Sequence, residues 1–254
     1  MAQETTAKPE KKSKSEAYFD LPALELPLRF RILTWICYRA VLGFGKVYWH
    51  WKVRGNDPFK GKPKLSEQPD GTIGRVYVCN HASMFDPAFL MAYAGYHGNA
   101  LRTLYKSELG ESKFVTWFFS RVGGMPIKRG SADTKAIKRA VAALKRGENI
   151  LIFPEGTRIW DPEARPEIHG GFSLIAIMAG ADVVPIAIDG TERINPNKKY
   201  KLSRPSRVTV EFGDPISLAD LPGESRKEKA AALEGAAMEK VYSMRSALRK
   251  EISK

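Results

Sequence analysis

The sequence predicts an α/β fold, a single domain with a mixed, largely parallel sheet covered by helices, preceded by an amphipathic helical segment. Two observations predict the domain: a length of 254 residues, which suits one sizeable core, and an alternation of short β-like runs with helical patterns from about residue 72 onward. A third observation concerns the part before residue 72, where an apolar stretch contains too many basic residues to cross a bilayer.

Six runs have the apolar, β-branched and aromatic composition of strands. They are RVYVC (75–79), LRTLY (101–105), MPIKR (125–129), NILIF (149–153), DVVPIAI (182–188) and RVTVEF (207–212). Between the third and fourth runs, Ile137, Val141 and Leu144 recur at helical spacing, which predicts a helix. The sequence therefore predicts a sheet with helices between its strands.

Composition divides the chain into four parts. Residues 1–20 are polar and Lys-rich, and we expect a disordered tail without the regions of a secretory signal peptide. Residues 21–55 are predicted to be an N-terminal interfacial helical segment, and 56–224 the α/β domain. Residues 225–254, rich in Ala, Glu, Lys and Arg, are predicted to form a closing surface helix.

Within that N-terminal part, residues 26–52 combine apolar and aromatic residues with basic ones. Three basic residues, about two helical turns apart, would form one stripe on a continuous helix: Arg31, Arg39 and Lys46. Gly43 and Gly45 would instead divide the segment into two helices. The headgroup zone of a bilayer favours amphipathic rings such as those of Trp35, Tyr48, Trp49 and Trp51. We therefore predict binding to an anionic membrane surface, with packing on the protein's own core as the alternative.

The formal net charge of +13 calls for an acidic partner, and nucleic acid, anionic lipid and phosphorylated small molecules all qualify. We recognise no nucleic-acid-binding module, so we expect no nucleic-acid partner. The two cysteines, Cys37 and Cys79, lack metal-ligand spacing and indicate buried thiols in a reducing compartment.

The stretch NHASMFD (80–86) places His81 directly after a predicted strand and Asp86 at the start of the next helix. A carboxylate there can accept a hydrogen bond from the imidazole Nδ1–H and leave Nε2 free to take a proton, as a general base does. The alternative is a histidine that caps the helix while the aspartate stabilises the helix N-terminus.

Two further segments, GMPIKR (124–129) and FPEGTR (153–158), place cations at strand ends, the edge where open α/β sheets bind ligands. Arg129 and Arg158 can hold a phosphate by charge-assisted hydrogen bonds, Gly156 lets backbone approach it, and Thr157 adds a donor. Lys106 is a further candidate. The alternatives are surface ion pairs and an ordinary turn.

Taken in order, NHASMFD, GMPIKR, FPEGTR and VVPIAI resemble the four sequence blocks of the glycerolipid acyltransferase family, which includes 1-acylglycerol-3-phosphate and other lysophospholipid acyltransferases. The resemblance covers about residues 76–190 and implies that His81 is the general base and Asp86 its orienting partner. It places in the acceptor-binding blocks Arg129, Glu155, Gly156, Thr157 and Arg158, and on the acyl-donor side Pro185. Many members have a lysine where this chain has His169, so the chain departs from the family pattern at this position.

The resemblance implies that an acceptor hydroxyl attacks the thioester of acyl-CoA or acyl carrier protein while His81 removes its proton. We expect 1-acylglycerol-3-phosphate as acceptor and phosphatidic acid as product, with glycerol 3-phosphate or a glycolipid as alternatives. No cofactor or metal is implied, only the thioester co-substrate. We also expect a peripheral or monotopic protein on the cytoplasmic face of the cell membrane.

Other interpretations remain open from the sequence. Ser83 is an alternative acyl-accepting residue, and a metal site from His81, Asp86 and Glu155 is conceivable. The alternatives to an acyltransferase are a lipid-active thioesterase or hydrolase and a non-catalytic protein that binds anionic lipid. The aromatic run FVTWFFS (114–120) is interpreted as core, with the wall of an acyl-chain tunnel as the alternative.

Overall fold

One seven-stranded sheet forms the centre of the protein, in the strand order β1-β7-β6-β2-β5-β3-β4. The computed structural model describes residues 14–128, 133–161, 163–194 and 207–252. The strands are β1 Lys52–Gly55, β2 Val76–Cys79, β3 Leu101–Lys106, β4 Gly124–Ile127, β5 Asn149–Ile152, β6 Val183–Asp189 and β7 Thr209–Phe212. Neighbouring strands are parallel except β6 and β7, which are antiparallel. The predicted mixed, largely parallel sheet is therefore confirmed.

Helices cover both faces of the sheet. They are α1 Lys14–Asp20, α2 Leu28–Tyr48, α3 Asp86–Tyr96, α4 Lys113–Val122, α5 Thr134–Leu144, α6 Gly171–Ala179 and α7 Arg226–Ile252. In β2, Val76 and Val78 pack with residues of α5, α6 and α7, whereas Tyr77 and Cys79 pack with residues of α3. This alternation of side chains buries both faces, as a parallel sheet requires.

The six predicted β-like runs correspond to strands β2 to β7. The remaining strand, β1, was not predicted. β1 lies in the segment 21–55 that was expected to be helical. Its sequence KVRG has little β-strand signal, and it is an edge strand whose partner, β7, comes more than 150 residues later; Lys52, for example, aligns with Thr209. Local pattern cannot reveal such a pairing.

The expected disorder of residues 1–20 is wrong for Lys14–Asp20, which form α1. Ion pairs with α5 hold this helix in place, and the composition of residues 1–20 does not show that such partners exist. Arg139 of α5 forms an ion pair with Asp20 at 2.6 Å, and Lys135 pairs with Glu16. The predicted C-terminal helix is present as α7, yet its inner face is core rather than surface, because it packs along β6 and β2.

Helix α2 is continuous through Gly43 and Gly45, so these glycines do not divide it. A side chain at Gly45 would place its Cβ 2.6 Å from the ring of Phe89, so the glycine allows α2 to approach α3 closely. Trp49, counted above among the membrane-facing aromatic residues, is instead buried in the core, and Tyr48 and Trp51 pack against that core. No described helix combines the length and apolarity needed to cross a membrane.

The aromatic run on α4 is not core throughout, since Phe114 and Trp117 are exposed. Helix α4 connects β3 to the edge strand β4, so fewer elements are available to cover its outer face. The interpretation of the whole run as core is therefore wrong for these two residues.

A buried ion pair fixes the N-terminal segment to the amino edge of the sheet. Arg102 at the start of β3 and Glu148 just before β5 lie 2.5 Å apart and are almost fully buried. Glu148 accepts a hydrogen bond from the backbone N–H of Ala23 at 2.7 Å, and Arg102 donates to the carbonyl of Phe19 at 3.3 Å. The pair thereby joins two strands to the segment that precedes α2.

We predict that Arg102→Ala lowers the free energy of unfolding by about 3–5 kcal/mol, because it leaves the buried Glu148 carboxylate with only the partly exposed Arg146, 3.5 Å away, as counter-charge. Urea unfolding followed by circular dichroism measures this change. The control is Arg54→Ala, which removes surface ion pairs with Glu211 and Glu251 and should cost less than about 1 kcal/mol. Equal losses in the two variants would contradict the structural role of Arg102.

Candidate active site

The candidate site lies at the carboxyl edge of the sheet, where β2 sits between β6 and β5. The residue after β2, Asn80, is fully buried, and its amide makes two hydrogen bonds to β6. Asn80 Nδ2 donates to the carbonyl of Ile188 at 2.9 Å, and the N–H of Ile188 donates to Asn80 Oδ1 at 2.9 Å. The turn that carries His81 therefore starts from a fixed point. Asn80 was not among the predicted site residues, although an amide side chain offers both a donor and an acceptor.

The structure brings His81 and Asp86 together as predicted, with His81 Nδ1 2.9 Å from Asp86 Oδ2. The same oxygen accepts the backbone N–H groups of Ala82 at 2.7 Å and Ser83 at 2.8 Å. Asp86 is fully buried at the start of α3, whereas 18% of the His81 side chain is exposed. The carboxylate thus orients the imidazole and fixes the turn that precedes α3, and it lies in the first turn of that helix, where a negative charge is favourable. The helix has no side-chain cap, so His81 does not cap it. Nε2 is left as the nitrogen available to a substrate.

The loop after β5 wraps around this imidazole. The rings of Phe153 and His81 lie 4.3 Å apart at an interplanar angle of 30°. Farther along the loop, the N–H of Ile159 donates to the carbonyl of His81 at 2.7 Å. His81 is therefore held by contacts to its ring and to its backbone.

Glu155 lies behind the His81 turn, with only 3% of its surface exposed. Its Oε2 accepts the N–H of His81 at 2.8 Å, and its Oε1 accepts the hydroxyl of Tyr242 at 3.1 Å. Burial raises the pKa of Glu155 above its usual value, although these hydrogen bonds and the charge of Arg245 oppose the rise. Both carboxylate oxygens thus accept hydrogen bonds from protein groups. The resemblance had instead placed Glu155 in an acceptor-binding block.

Gly156 adopts a positive φ of 65°, and a Cβ there would lie 2.5 Å from the ring of His169. Only glycine fits between the backbone and this imidazole. The backbone N–H of His169 donates to the carbonyl of Pro154 at 2.9 Å, which fixes His169 beside the loop. The histidine that replaces the family lysine thus contacts the third motif directly.

The other predicted phosphate-binding residues that the structure describes lie at the same edge but are more exposed. Thr157 is exposed, and the partly exposed Arg158 places its guanidinium 5.6 Å from the centre of the Trp160 ring. Lys106 is exposed at the end of β3, 3.5 Å from Glu108. Arg129 falls outside the described residues.

Two other candidates are less accessible. Pro185 is buried within β6 at the level of Val78, where it packs against Gly213, so the structure does not bring it to the His81 turn. Ser83 is buried and accepts the N–H of Phe85 at 3.4 Å. Among the described residues, neither side chain forms a hydrogen bond to the His81 ring.

A family model described as Acyltransferase matches residues 59–189, just over half of the chain. The protein therefore belongs to the acyltransferase family, which confirms the resemblance seen in the four motifs. It is 31% identical over 171 residues to a chloroplastic 1-acyl-sn-glycerol-3-phosphate acyltransferase of Brassica napus, a match covering 66% of this chain and 48% of the relative. The chain thus spans about half the length of that relative.

A second curated relative is a lyso-ornithine lipid O-acyltransferase of Pseudomonas aeruginosa, 34% identical over 172 residues, with 66% of this chain and 57% of the relative covered. Among solved structures, the 1-acyl-sn-glycerophosphate acyltransferase PlsC of Thermotoga maritima matches with a TM-score of 0.59 at 22% identity. That match covers 82% of this chain and 79% of PlsC. It shows that the two proteins share a fold.

We predict that Gly156→Ala destabilises the protein by about 1–3 kcal/mol, because alanine is strained at positive φ and its Cβ displaces His169. The matched control is Gly235→Ala in the exposed middle of α7, where a Cβ meets no atom within 4 Å. That substitution should stabilise the protein by about 0.5–1 kcal/mol. Urea unfolding of both variants checks the difference, and an equally tolerated alanine at both positions would contradict it.

Proposed function

We propose that the protein transfers an acyl group from a thioester to a hydroxyl of a lysophospholipid, with 1-acylglycerol-3-phosphate as acceptor and phosphatidic acid as product. The observation that carries this proposal is the pair of His81 and a fully buried Asp86 at the carboxyl edge of the sheet. The family membership and the names of the relatives support the same reaction class.

In the proposed mechanism, Asp86 accepts the Nδ1–H of His81 and Nε2 takes the proton of the acceptor hydroxyl. The hydroxyl oxygen attacks the thioester carbonyl, and the C–S bond breaks as the tetrahedral intermediate collapses. His81 then returns its proton to the departing sulfur. Asp86 stabilises the imidazolium that exists between the two proton transfers, and no acyl-enzyme intermediate is required.

Basic residues at the carboxyl edge of the sheet support an acceptor that carries a phosphate group. Lys106 ends β3 and Arg158 follows β5 at the carboxyl edge, as Arg129 follows a predicted strand run in the sequence, and the whole chain carries a formal charge of +13. The same charge suits either acyl-CoA or acyl carrier protein, both of which are anionic. We propose acyl-CoA as donor, and a direct comparison of the two thioesters tests that choice. The Pseudomonas relative makes lyso-ornithine lipid the second acceptor to assay.

We expect His81→Ala to lower kcat by about 10²–10⁴-fold or more, because the general base is lost. The assay is thiol release from acyl-CoA in mixed micelles, with and without lysophosphatidate. The matched control is His97→Ala, which changes a histidine at the other end of α3 and should retain activity. Release that does not need the acceptor would instead identify a thioesterase, and full activity of His81→Ala would refute the mechanism.

We also propose that residues 26–52 bind an anionic membrane surface through the outer face of α2. This face exposes a row of large apolar side chains: Leu28, Ile32, Trp35, Ile36, Phe44 and Val47. Basic residues lie among them, and the Arg39 guanidinium is 4.3 Å from the Trp35 ring centre. Phe114 and Trp117 of α4 are also exposed. Apolar side chains beside exposed cations favour the interface of an anionic bilayer.

We predict that replacing Ile32 and Ile36, which are 50% and 52% exposed, by serine weakens binding to phosphatidylglycerol-containing vesicles at least about tenfold, because apolar contact with the bilayer is lost. The control replaces Leu174 and Met178 of α6, each 45% exposed and also four residues apart, on the opposite face of the sheet. Vesicle sedimentation measures binding. Equal effects of the two pairs would contradict the proposed orientation.

A further inference from the structure

The C-terminal helix α7 contributes two side chains to the back of the His81 turn. Tyr242, which is buried, donates its hydroxyl to Glu155 Oε1 at 3.1 Å. The other oxygen of Glu155 holds the backbone N–H of His81 at 2.8 Å. A continuous chain of hydrogen bonds therefore runs from α7 through a buried carboxylate to the residue that bears the proposed general base.

Arg245 lies one helical turn after Tyr242 and is only 2% exposed. Within the described part of the chain, none of its three guanidinium nitrogens has a hydrogen-bond partner. An arginine cannot lose its charge, so a buried guanidinium requires negative charge nearby. Its charge lowers the pKa of Glu155 and of Asp189 against the rise that burial causes, so both carboxylates are close enough to serve.

We propose that Tyr242 and Arg245 are positioning residues for acyl transfer: they hold Glu155 as the ionised acceptor that fixes the backbone of His81. This inference rests on the proposed function, because it assigns these residues to the reaction at His81. Tyr242 supplies a donor to one carboxylate oxygen and leaves the other for the His81 N–H. Arg245 supplies charge, which acts without a directed hydrogen bond.

The ionised state of Glu155 matters because a protonated carboxyl is a poorer acceptor for the His81 N–H. The charged and titratable groups around Glu155 are His81 from the β2–α3 turn, Tyr242 and Arg245 from α7, and Cys79 at the end of β2. Burial raises the pKa of Cys79, so its thiol adds no negative charge at neutral pH. Arg165 lies over the Tyr242 ring at 4.4 Å and adds positive charge on the outer side.

The first test is Tyr242→Phe, which removes one hydroxyl and keeps the ring. We expect kcat to fall about tenfold with KM within about twofold, because a displaced base slows the reaction without removing acceptor contacts. The acidic limb of the kcat profile should move to higher pH, because the pKa of Glu155 rises further once the hydroxyl is lost. Ser243→Ala removes an exposed hydroxyl from the next residue of α7 and should leave both parameters unchanged. A wild-type kcat and pH profile in Tyr242→Phe would overturn the proposal.

A double-mutant cycle then asks whether Tyr242 acts through Glu155. In a Glu155→Ala background, Tyr242→Phe should lower kcat by less than about twofold, because the group it positions is already absent. Losses that multiply in the double variant would overturn the proposed chain of action.

Arg245 is tested by a conservative and a non-conservative change. Because its guanidinium donates no hydrogen bond to the described residues, Arg245→Lys should retain kcat within about threefold, whereas Arg245→Met should lose about tenfold or more. Equal activity of the lysine and methionine variants would show that the charge has no role. If Arg245→Met does not fold, the Tyr242→Phe measurements still decide the proposal.

Hydrogen exchange separates this inference from the proposed reaction. The amide of His81 should exchange about tenfold faster in Tyr242→Phe than in the wild type or in Ser243→Ala, whatever the protein catalyses. Unchanged exchange would overturn the positioning role. A wild type that transfers no acyl group but shows the faster exchange in Tyr242→Phe would refute the proposed function alone.

Discussion

Three hydrogen bonds to a single carboxylate oxygen, Oδ2 of Asp86, hold the centre of the candidate site together. They come from the His81 ring and from the backbone N–H groups of Ala82 and Ser83, in the turn that precedes α3. The same contacts therefore fix the turn that leads into α3 and orient the imidazole. A fully buried aspartate is tolerated here because donors and the helix N-terminus compensate its charge.

The backbone of the same turn is fixed from three other directions. Asn80 joins it to β6, Glu155 holds the His81 N–H, and the N–H of Ile159 holds the His81 carbonyl. None of these three contacts involves the His81 ring. Such support suits the proposed general base, because its geometry exists before substrate binds and is not assembled at the cost of binding energy.

The alternation of strands and helices and the His81–Asp86 pair could be predicted because both depend on local sequence. Strand composition is read within about five residues, and a helix N-terminus brings residues five apart into contact. β1 could not be predicted, since its four residues pair only with a strand at the far end of the chain. The burial of Trp49 also depends on tertiary packing, because the same aromatic composition serves either a core or a bilayer surface.

For the site residues too, local sequence predicted some features, and tertiary contacts determined the others. The glycine of the third motif was recognised from its type, and its need for a positive φ beside His169 gives the physical reason. The role of Glu155 could not be read from the motif, because the motif does not show which side of the loop faces the interior. Tyr242 lies 87 residues beyond Glu155 in an Ala-rich helix, and no local pattern distinguishes it from an ordinary core residue.

The double hydrogen bond between Asn80 and Ile188 has a consequence for biosynthesis, because it joins residues 108 apart in the chain. A ribosome that has made only the first half of the protein has already produced both members of the His81–Asp86 pair, but neither β6 nor α7. The complete set of hydrogen bonds around His81 forms only after the last helix has been synthesised and has docked. The hydrogen bonds that fix the His81 backbone thus form late in folding, and an incomplete nascent chain does not yet have them.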